Sequence, residues 1–372
     1  MKFAIITHVI HNKVENQYFG YAPYIREMNI WLKYVDEVII VAPSSKGSPT
    51  EIDLDYEHHK IDFRDVSEFS FTSLKNNLIS LYKLPRIFWT VFWAMKKADH
   101  IHLRCPGNTG LIGCFVQILF PKKTKTAKYA GNWDPASKQP WTYKLQKYIL
   151  GNTFLTKNMQ VLVYGDWENQ SKNIKPFFTA TYADIEKTSI QKLNFDSTIE
   201  FIFVGSLVVG KNPMYALKLL KQLVKKGNKA ILNFYGEGIE RASLENYIKE
   251  NDLQDNVFLN GNQNKETVKL AYQRSHFVIL PSKSEGWPKA VAEGMFYGCV
   301  PIATSVSCVP FMLENGNRGI LLEMDLENDL AQIENIIRNE DKFFSKSKLS
   351  EKWSQNYTVE IFEEEIKMLL VK

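Results

Sequence analysis

Residues 277–303 constrain the fold of this chain more than any other segment. An apolar run at 277–280 leads into a turn of serine, glycine and proline, and a helical stretch then closes at Gly298 before a second apolar run at 300–303. This order predicts a strand–loop–helix–strand unit of a parallel sheet. Pro288 suits the first helical position, and Gly298 suits the position just past the helix end.

The same alternation continues along the chain and predicts an α/β fold with parallel sheets and crossover helices. A length of 372 residues, 45% of them hydrophobic, fits two globular domains. A polar segment at 188–198 places the boundary near residue 190, which gives domains at 1–190 and 191–355 and a C-terminal helix within 356–372. We predict strands at 3–6, 37–42, 101–103, 126–129, 160–163, 201–204, 230–234, 257–259, 277–280, 300–303 and 320–322. We predict helices at 213–226 and at roughly 359–370, and the segments 22–32 and 145–150 as parts of helices.

Two glutamates flank the helix start that follows the 277–280 strand. Glu285 and Gly286 lie in the loop at the carboxyl end of that strand, and Glu293 falls in the second turn of the helix. A helix N-terminus attracts anions because its first N–H groups are unpaired and its dipole favours negative charge. Carboxylates beside such a site suit a phosphate with hydroxyl-rich groups on both sides, as in a nucleotide-sugar. The alternative is that both glutamates are solvated charges at a helix start.

The segment Glu285-Gly-Trp-Pro followed by Glu293, with seven residues between the glutamates, resembles the Glu-x7-Glu motif of retaining glycosyltransferases of family 4. The resemblance implies the GT-B fold, in which two Rossmann-like, doubly wound parallel-sheet domains face a cleft and the last helix packs back on the first domain. It implies that Glu285 contacts the donor sugar and Glu293 the ribose. It also implies that Gly286, Trp287 and Pro288 bind the donor around its diphosphate.

Further donor-binding landmarks of the family follow in order. Gly205, Ser206 and Lys211 resemble the strand–glycine–loop segment that carries the family's basic pair for the donor diphosphate. Ser206 stands where many members have arginine, so one cation faces two phosphates. Lysine supplies a mobile positive charge without a bidentate fork, and an ordinary exposed lysine is the alternative for Lys211. Gly236 resembles the family's Gly-x-Gly turn, and Gly261 lies in a loop that is near the donor base in relatives.

The first half of the chain resembles the family less closely, and its candidate residues lie on the acceptor side. His8 follows the first predicted strand, where doubly wound sheets bind ligands, and Gly20 is the nearest equivalent of the family's glycine-rich loop. His102 matches the first histidine of an Asp-x-x-His-x-His-x-Pro pattern, and Arg104 replaces the second. We interpret Arg104 as an anion contact, and Asp134 as a contact to an acceptor hydroxyl. The alternatives are a solvated or structural His8, a core His102 and a turn aspartate.

The resemblance implies transfer on one face of the sugar, with the leaving diphosphate oxygen accepting the proton of the acceptor. Lys211, Glu285 and Arg104, with the amides at 286–288, are then the catalytic candidates, acting by position and electrostatics. The sequence has no Asp-x-Asp metal signature. We therefore expect no metal and no cofactor, since the nucleotide-sugar is a substrate. Donor base, donor sugar and acceptor stay open, and synthesis of surface polysaccharide is implied by the family alone.

Positive charge concentrates in residues 83–128. This segment holds nine basic residues and a single acid, Asp99, and it includes an apolar stretch at 84–97 with basic ends. One hypothesis is an interfacial surface that meets anionic lipid and suits a lipid-linked acceptor. The alternative is a buried helix with solvated basic ends. Nucleic-acid binding is not expected, because basic residues are not interleaved with exposed aromatics throughout.

The cysteines and the apolar stretches indicate where the protein is located. The four cysteines form no Cys-x-x-Cys pair, which fits a reducing compartment. The apolar stretches are about half the length of a membrane-spanning helix, so we predict a cytoplasmic protein that is peripheral at the inner face of the membrane if the lipid hypothesis holds.

Two functions other than glycosyl transfer are considered. One rival is a sugar-nucleotide epimerase of the same shape. The other is a non-catalytic binding homologue, suggested by Ser206 and Arg104.

Overall fold

The computed structural model divides into two compact units. It describes residues 1–15, 17–45, 47–50, 53–68, 74–188 and 198–370, without the side chains of 74–81. Unit 1 comprises Met1–Phe178 and Phe362–Lys372, and unit 2 comprises Thr179–Ile361. The predicted boundary near residue 190 lies outside the described residues. Within the described part of the chain, no helix combines the length and apolarity needed to cross a membrane.

Unit 1 is built on a seven-stranded parallel sheet with the order β11-β10-β9-β8-β1-β4-β7. In chain order its elements are β1 (Lys2–Ile6), β2 (His11–Val14), β3 (Gln17–Tyr21), α1 (Ala22–Leu32), β4 (Glu37–Ala42), β5 (Ser44–Ser45), β6 (Asp53–Asp55), β7 (Ile61–Asp65), α2 (Leu74–Lys97), β8 (His100–Cys105), α3 (Asn108–Val116), a 3₁₀ turn (Gln117–Leu119), β9 (Thr124–Tyr129), α4 (Trp141–Gly151), β10 (Met159–Tyr164) and β11 (Ile174–Phe177). The order reverses at β1, which lies between β4 and β8. In sheets of this type, ligands bind beyond the carboxyl ends of the strands at such a switch point.

Apolar strands and helix faces form the core of unit 1. β1 and β4 are almost wholly buried, as is expected for central strands covered on both faces. On α2 the residues Ile87, Val91, Ala94 and Met95 are buried against the sheet at helical spacing. This face confirms part of the alternative for residues 84–97, although the opposite face of α2 is aromatic as well as basic.

A second, four-stranded sheet of unit 1 was not predicted. Its order is β5-β2-β3-β6, and β3 pairs antiparallel with both β2 and β6. The strands are short and polar, and they lack the apolar runs by which buried strands are recognised. Gly20 lies inside β3 and pairs with His11, so it belongs to a strand and not to an open phosphate-binding loop.

Unit 2 is built on a six-stranded parallel sheet with the order β14-β13-β12-β15-β16-β17. A 3₁₀ turn (Asp184–Glu186) precedes it, and its elements are β12 (Ile199–Val204), α5 (Pro213–Lys225), β13 (Ala230–Tyr235), α6 (Arg241–Glu250), β14 (Val257–Leu259), α7 (Lys265–Arg274), β15 (Phe277–Leu280), α8 (Lys289–Phe296), β16 (Val300–Thr304), α9 (Val309–Met312), a 3₁₀ turn (Glu314–Gly316), β17 (Ile320–Leu322), α10 (Leu326–Ile337) and α11 (Glu340–Ser354). Here the order reverses between β12 and β15. All predicted strands are confirmed.

The last helix, α12 (Val359–Leu370), has the predicted bounds. Its residues from Phe362 onward group with unit 1. Phe362 packs beside Phe177, and Glu363 forms an ion pair with Lys33 of the same unit at 3.1 Å. The α/β architecture with two Rossmann-like sheets is therefore as predicted.

Candidate functional site

Three loops meet at the carboxyl edge of the unit 2 sheet. They follow β12 (residues 205–212), β13 (236–240) and β15 (281–288). The backbone N–H of Lys283 donates to the carbonyl of Gly210 at 2.8 Å, and the N–H of Leu207 donates to the carbonyl of Glu237 at 2.9 Å. These bonds join the loops on both sides of the β12/β15 switch point, where open α/β sheets bind ligands.

Lys211 and Glu285 form an ion pair at this switch point. The Lys211 Nζ lies 2.6 Å from Glu285 Oε1. The Glu285 side chain is 7% exposed, whereas that of Lys211 is 31% exposed. A charge-assisted hydrogen bond of this length is strong, and it holds both groups at one point of the edge. Ser206, at the position that would be arginine in many family members, is exposed on the first of the three loops.

Glycines leave space where the loops cross. Gly236 has φ +146°, and a Cβ placed on it would lie 2.0 Å from the carbonyl oxygen of Gly205. The N–H of Gly236 also donates to the carbonyl of Gly261 at 2.8 Å. Three glycines assigned to donor binding therefore come together, and the close approach of backbones explains why position 236 carries no side chain.

The loop before α8 differs in detail from the prediction. Pro288 is the N-cap and Lys289 is the first helical residue, one position later than expected. Since proline has no N–H, it donates nothing to an anion. Among the described residues no side chain caps this helix, and the backbone amides of Lys289 and Ala290 form its first two helical positions.

The side chain of Trp287 packs into the core next to this loop. Its ring is buried and stacks on Trp353 of α11 at 5.9 Å, and it meets Tyr357 edge-on at 5.5 Å. The side chain therefore anchors the loop in the core. The carbonyl of Gly286 accepts hydrogen bonds from Ser307 and Cys308 at 3.2 and 3.1 Å, which fixes the backbone beside Glu285.

Glu293 lies in the second turn of α8, as predicted, and is half-buried. Thr181 donates its hydroxyl to Glu293 Oε1 at 2.8 Å, and Tyr272 donates its hydroxyl to Oε2 at 3.3 Å. Burial, followed by the nearby Glu293 charge, raises the pKa of Tyr272 well above its usual value, so the phenol keeps its proton. The sequence did not indicate Thr181 or Tyr272 as partners, because neither residue is in a motif.

The acceptor-side candidates of unit 1 have different surroundings. His102 is fully buried between Phe3 and Trp31, with ring centroids 5.7 and 4.7 Å away, and Nδ1 contacts Thr126 at 2.9 Å. Burial lowers its pKa well below the usual value. The structure thus places His102 in the core, the alternative named above.

Asp134 forms a turn. Its Oδ1 accepts the N–H of Ala136 at 2.8 Å, and its own N–H donates to Asn132 Oδ1 at 2.9 Å. The carbonyl of Asp134 accepts from Lys147 Nζ at 3.1 Å. These bonds are those of a turn aspartate, and they do not bring Asp134 to another candidate residue.

His8 and Arg104 do come together, at the switch point of the unit 1 sheet. His8 follows β1, Arg104 is the last residue but one of β8, and the His8 ring hydrogen-bonds to the backbone of Arg104. The Arg104 guanidinium lies 3.4 Å from Glu27 Oε1, and Lys128 Nζ lies 2.8 Å from the same oxygen. The sequence analysis missed Glu27, although a carboxylate on the otherwise apolar face of α1 is a signal that could have identified it.

One known protein family matches a segment within unit 2. Residues 184–358 match the family described as glycosyl transferases group 1. An uncharacterized glycosyltransferase of Haemophilus influenzae is 31% identical over 188 residues, which are 50% of this chain and 52% of the relative. A transferase of Campylobacter jejuni that adds N-acetyl-D-galactosamine in alpha-1,4 linkage to an undecaprenol-PP-linked saccharide is 27% identical over 41% of this chain and 43% of its own length. This chain thus spans about half or less of the length of these relatives.

Solved structures match along the whole chain. Anabaena HepE in complex with UDP and glucose superposes with a TM-score of 0.67 and 15% identity over 100% of this chain and 99% of HepE. Sucrose-phosphate synthase from Thermosynechococcus elongatus gives 0.67 and 16% over 99% and 98%. Identities this low establish a shared fold. The chain has the GT-B fold of two Rossmann-like domains, and its residues 184–358 match the glycosyl transferases group 1 family.

Proposed function

We propose that this chain is a glycosyltransferase that binds a nucleotide-diphosphate sugar at the carboxyl edge of the unit 2 sheet and transfers the sugar to a hydroxyl acceptor with retention of configuration. The Lys211–Glu285 pair at 2.6 Å carries the proposal, because it brings a phosphate-binding cation and a hydroxyl-binding carboxylate to one point. The match over residues 184–358 supports a group 1 glycosyltransferase. The UDP and glucose bound in the HepE structure illustrate the ligand class.

The chemistry follows from an exchange of partners. In the proposed complex, Lys211 pairs with the donor diphosphate and no longer with Glu285. The Glu285 carboxylate then accepts hydrogen bonds from sugar hydroxyls. In this complex the N-terminus of α8, at Lys289 and Ala290, lies toward the same phosphates with the positive end of its dipole. As the glycosidic oxygen leaves, its growing negative charge meets Lys211 and this helix end. The acceptor oxygen bonds to the anomeric carbon on the face from which the diphosphate oxygen departs, and the departing oxygen takes the acceptor proton, so the configuration is retained.

In this proposal, the Glu293 carboxylate binds the ribose hydroxyls of the donor. Its carboxylate already accepts two hydroxyl hydrogen bonds, from Thr181 and Tyr272. A ribose diol presents the same kind of donor, so it can replace the Thr181 bond without leaving a half-buried carboxylate unsatisfied.

A thermal-shift titration tests the donor. UDP-, GDP-, ADP- and CMP-sugars are titrated into the wild type, into Glu293→Ala and into Glu340→Ala, a matched variant of an exposed glutamate in the same unit. A ligand that binds only the folded state raises the melting temperature. We expect one nucleotide class to stabilise the wild type and Glu340→Ala but not Glu293→Ala. No stabilisation by any class at millimolar concentration contradicts the proposal.

Turnover separates the proposal from its two rivals. Transfer that requires an added acceptor supports the glycosyltransferase. Conversion of the nucleotide-sugar without acceptor favours the epimerase, and donor binding without any turnover favours a non-catalytic homologue. We expect transfer to continue in EDTA, because Lys211 and the α8 amides take the place of a metal in neutralising the diphosphate. Loss of activity in EDTA, with rescue by a divalent cation, contradicts that part.

The acceptor in this proposal is a glycan or a lipid-linked saccharide of surface polysaccharide synthesis, and the protein acts on the cytoplasmic face of a membrane. The name of the Campylobacter relative, whose acceptor is linked to undecaprenol-PP, supports a lipid-linked acceptor. The exposed face of α2 supports a membrane contact. Trp89 and Trp93 are 54% and 47% exposed, and Lys96 lies over the Trp93 ring at 4.6 Å. Aromatic rings beside basic residues are typical of surfaces that meet anionic lipid.

Vesicle sedimentation tests the membrane contact. We expect the wild type to sediment with vesicles containing phosphatidylglycerol at low salt and much less with neutral phosphatidylcholine vesicles. The double variant Trp89→Ser, Trp93→Ser removes the exposed rings and is expected to abolish sedimentation. Tyr148→Ser removes an exposed ring of α4 on the same unit as a control. No sedimentation of the wild type, or equal sedimentation of all variants, contradicts this part.

A further inference from the structure

The carboxyl edge of the unit 1 sheet holds a buried charge cluster that the proposed donor site does not use. It consists of Glu27 on α1, Arg104 on β8 and Lys128 on β9. Arg104 and Lys128 are register partners on adjacent strands, so their side chains leave the same face of the sheet. Like charges placed in this way destabilise a sheet. The Glu27 carboxylate offsets the repulsion, and both cations share its Oε1.

Lys128 is the better neutralised of the two cations. Its Nζ lies 2.8 Å from Glu27 Oε1 and donates to the carbonyl of Phe178 at 2.9 Å. Its ammonium also lies 5.1 Å from the centroids of the Phe177 and Phe362 rings. These contacts compensate a fully buried ammonium in a way that needs no ligand.

Arg104 has weaker compensation. Within the described residues its side chain donates one hydrogen bond, from Nη1 to Glu27 at 3.4 Å. This bond is long for a charge-assisted contact, which is usually about 2.7–2.9 Å, and it is not bidentate. The guanidinium lies over the Tyr24 ring at 5.2 Å, which fixes its plane. Among the described residues, no further protein acceptor is found for the other N–H groups of the fork.

The position of Arg104 makes these N–H groups accessible. Its side chain is 14% exposed, whereas that of Lys128 is 0% exposed. Arg104 is the last residue but one of β8, which neighbours β1 at the switch point of the sheet, and the exposed His8 lies next to it. A Cβ on Gly107 would lie 2.4 Å from the His8 ring, so the following loop passes close to this histidine. The arrangement is a cation facing outward at the usual ligand position of the fold.

We propose that Arg104 binds an anionic group of the acceptor, a phosphate or a carboxylate, at the carboxyl edge of the unit 1 sheet. The planar fork of arginine matches both groups bidentately, which lysine cannot do. The proposal rests on the proposed function in calling this ligand an acceptor; the anion site itself stands on the unit 1 geometry. The acceptor class is then a saccharide with a phosphate, including a phosphate-linked lipid, or with an acidic sugar.

Isothermal titration with inorganic phosphate and with glucuronate tests the site. All proteins carry Lys211→Ala, so that phosphate binding in unit 2 is weakened from the start. We expect Lys211→Ala to bind at least one of the two probes at low salt, and Lys211→Ala, Arg104→Gln to bind it at least tenfold more weakly. The stronger probe distinguishes a phosphate from a carboxylate acceptor. No binding of either probe to Lys211→Ala, or binding unchanged by Arg104→Gln, overturns the proposal.

Two further variants address the folding of Arg104→Gln. Arg104→Lys keeps the charge and removes the fork, and we expect binding between that of the parent and that of Arg104→Gln. Glu27→Gln removes the competing carboxylate, and we expect tighter anion binding, with the affinity falling as salt is raised. If Arg104→Gln does not fold, equal binding by the parent, Arg104→Lys and Glu27→Gln overturns the proposal.

The outcome is distinguishable from a failure of the proposed function. If no nucleotide-sugar binds the wild type but phosphate binding depends on Arg104, the anion site stands and the glycosyltransferase fails. If a nucleotide-sugar binds the wild type and probe binding does not depend on Arg104, the Arg104 proposal fails and the proposed donor site stands. Where both sites bind, transfer to acceptors with and without the anionic group gives the final comparison, and we expect Arg104→Gln to lower the rate more with the anionic acceptor than with the neutral one.

Discussion

The two units place an ion cluster at the same point of the fold but balance its charge differently. In unit 2 one lysine meets one glutamate across the β12/β15 switch point. In unit 1 two cations share a single glutamate oxygen beside the β1/β8 switch point. The first arrangement suits a ligand that exchanges partners with both members of the pair. The second leaves an arginine that an added anion completes, so the same topology favours two different classes of ligand.

The units also differ in how closely they match known proteins. The family match lies within unit 2, at residues 184–358, and the matched segment does not extend into unit 1. On the proposed function this contrast has a physical reason. Every donor presents the same diphosphate and ribose to unit 2, but acceptors differ in shape and charge, so residues such as Arg104 are free to depart from the family pattern.

The largest expected effect comes from breaking the unit 2 pair. We expect Lys211→Ala and Glu285→Gln each to lower kcat about 100- to 1000-fold, because each removes a group that contacts the donor in the transition state. Lys283→Ala, an exposed lysine on the same loop, is the matched control and should retain activity. Transfer rates with saturating donor measure the difference. Activity in Glu285→Gln close to that of the control would contradict a role of the Lys211–Glu285 pair in transfer.

The next effect concerns acid stability, which we expect to be concentrated in unit 1. Burial lowers the pKa of His11 and of His100 to about 4, below the usual 6.5. The unfolded chain therefore binds protons first, and unit 1 loses stability as pH falls from about 6.5 to about 4, by about 3 kcal/mol for each histidine. Hydrogen exchange in urea, referenced to the unfolded chain at each pH, measures the two units separately.

Histidine variants control this measurement. His11→Gln should reduce the pH dependence of unit 1, whereas His59→Gln, which replaces an exposed histidine, should not change it. Unit 2 contains one histidine, His276. An equal loss of stability in the two units between pH 6.5 and 4 would show that the buried histidines do not distinguish them.

A smaller effect tests the crossing of the unit 2 loops. A Cβ on Gly236 would meet the Gly205 carbonyl oxygen at 2.0 Å, and its φ is +146°. We expect Gly236→Ala to lower the free energy of unfolding by about 2 kcal/mol. Gly210→Ala is the control, since a Cβ there meets nothing within 4 Å, and it should change stability by less than about 0.5 kcal/mol. Urea denaturation measures both, and equal values would contradict the crowding.

The smallest effect is a change of one pKa in unit 1. The surrounding protein, followed by the positive charge of Arg104, lowers the pKa of His8. Removal of that charge in Arg104→Gln should therefore raise the pKa of His8, and Lys60→Gln, a change at an exposed lysine, should leave it unchanged. Titration of the histidine ring signals by NMR measures the shift. An unchanged His8 pKa in Arg104→Gln would contradict an effect of the Arg104 charge on His8.

Element bounds were largely predictable where apolar runs are continuous. The strands at 37–42, 257–259, 277–280 and 320–322 were predicted to the residue, and the segment predicted as part of a helix at 22–32 is helical throughout. The small sheet of β2, β3, β5 and β6 was missed, because short polar strands depend on pairing between segments and carry no period of their own. Gly20 was misplaced for the same reason.

The class of fold, the Glu285 and Glu293 motif and the glycine turns were predictable from the sequence, because they depend on local patterns along a few residues. Which charges meet was visible only in the folded chain. Lys211 and Glu285 are 74 residues apart and Arg104 and Glu27 are 77 apart, and His102 could be assigned to the core only from its neighbours. Parallel strands joined by crossover helices bring distant segments to one edge. A charge pair at that edge is therefore a property of the strand order, which no local pattern contains.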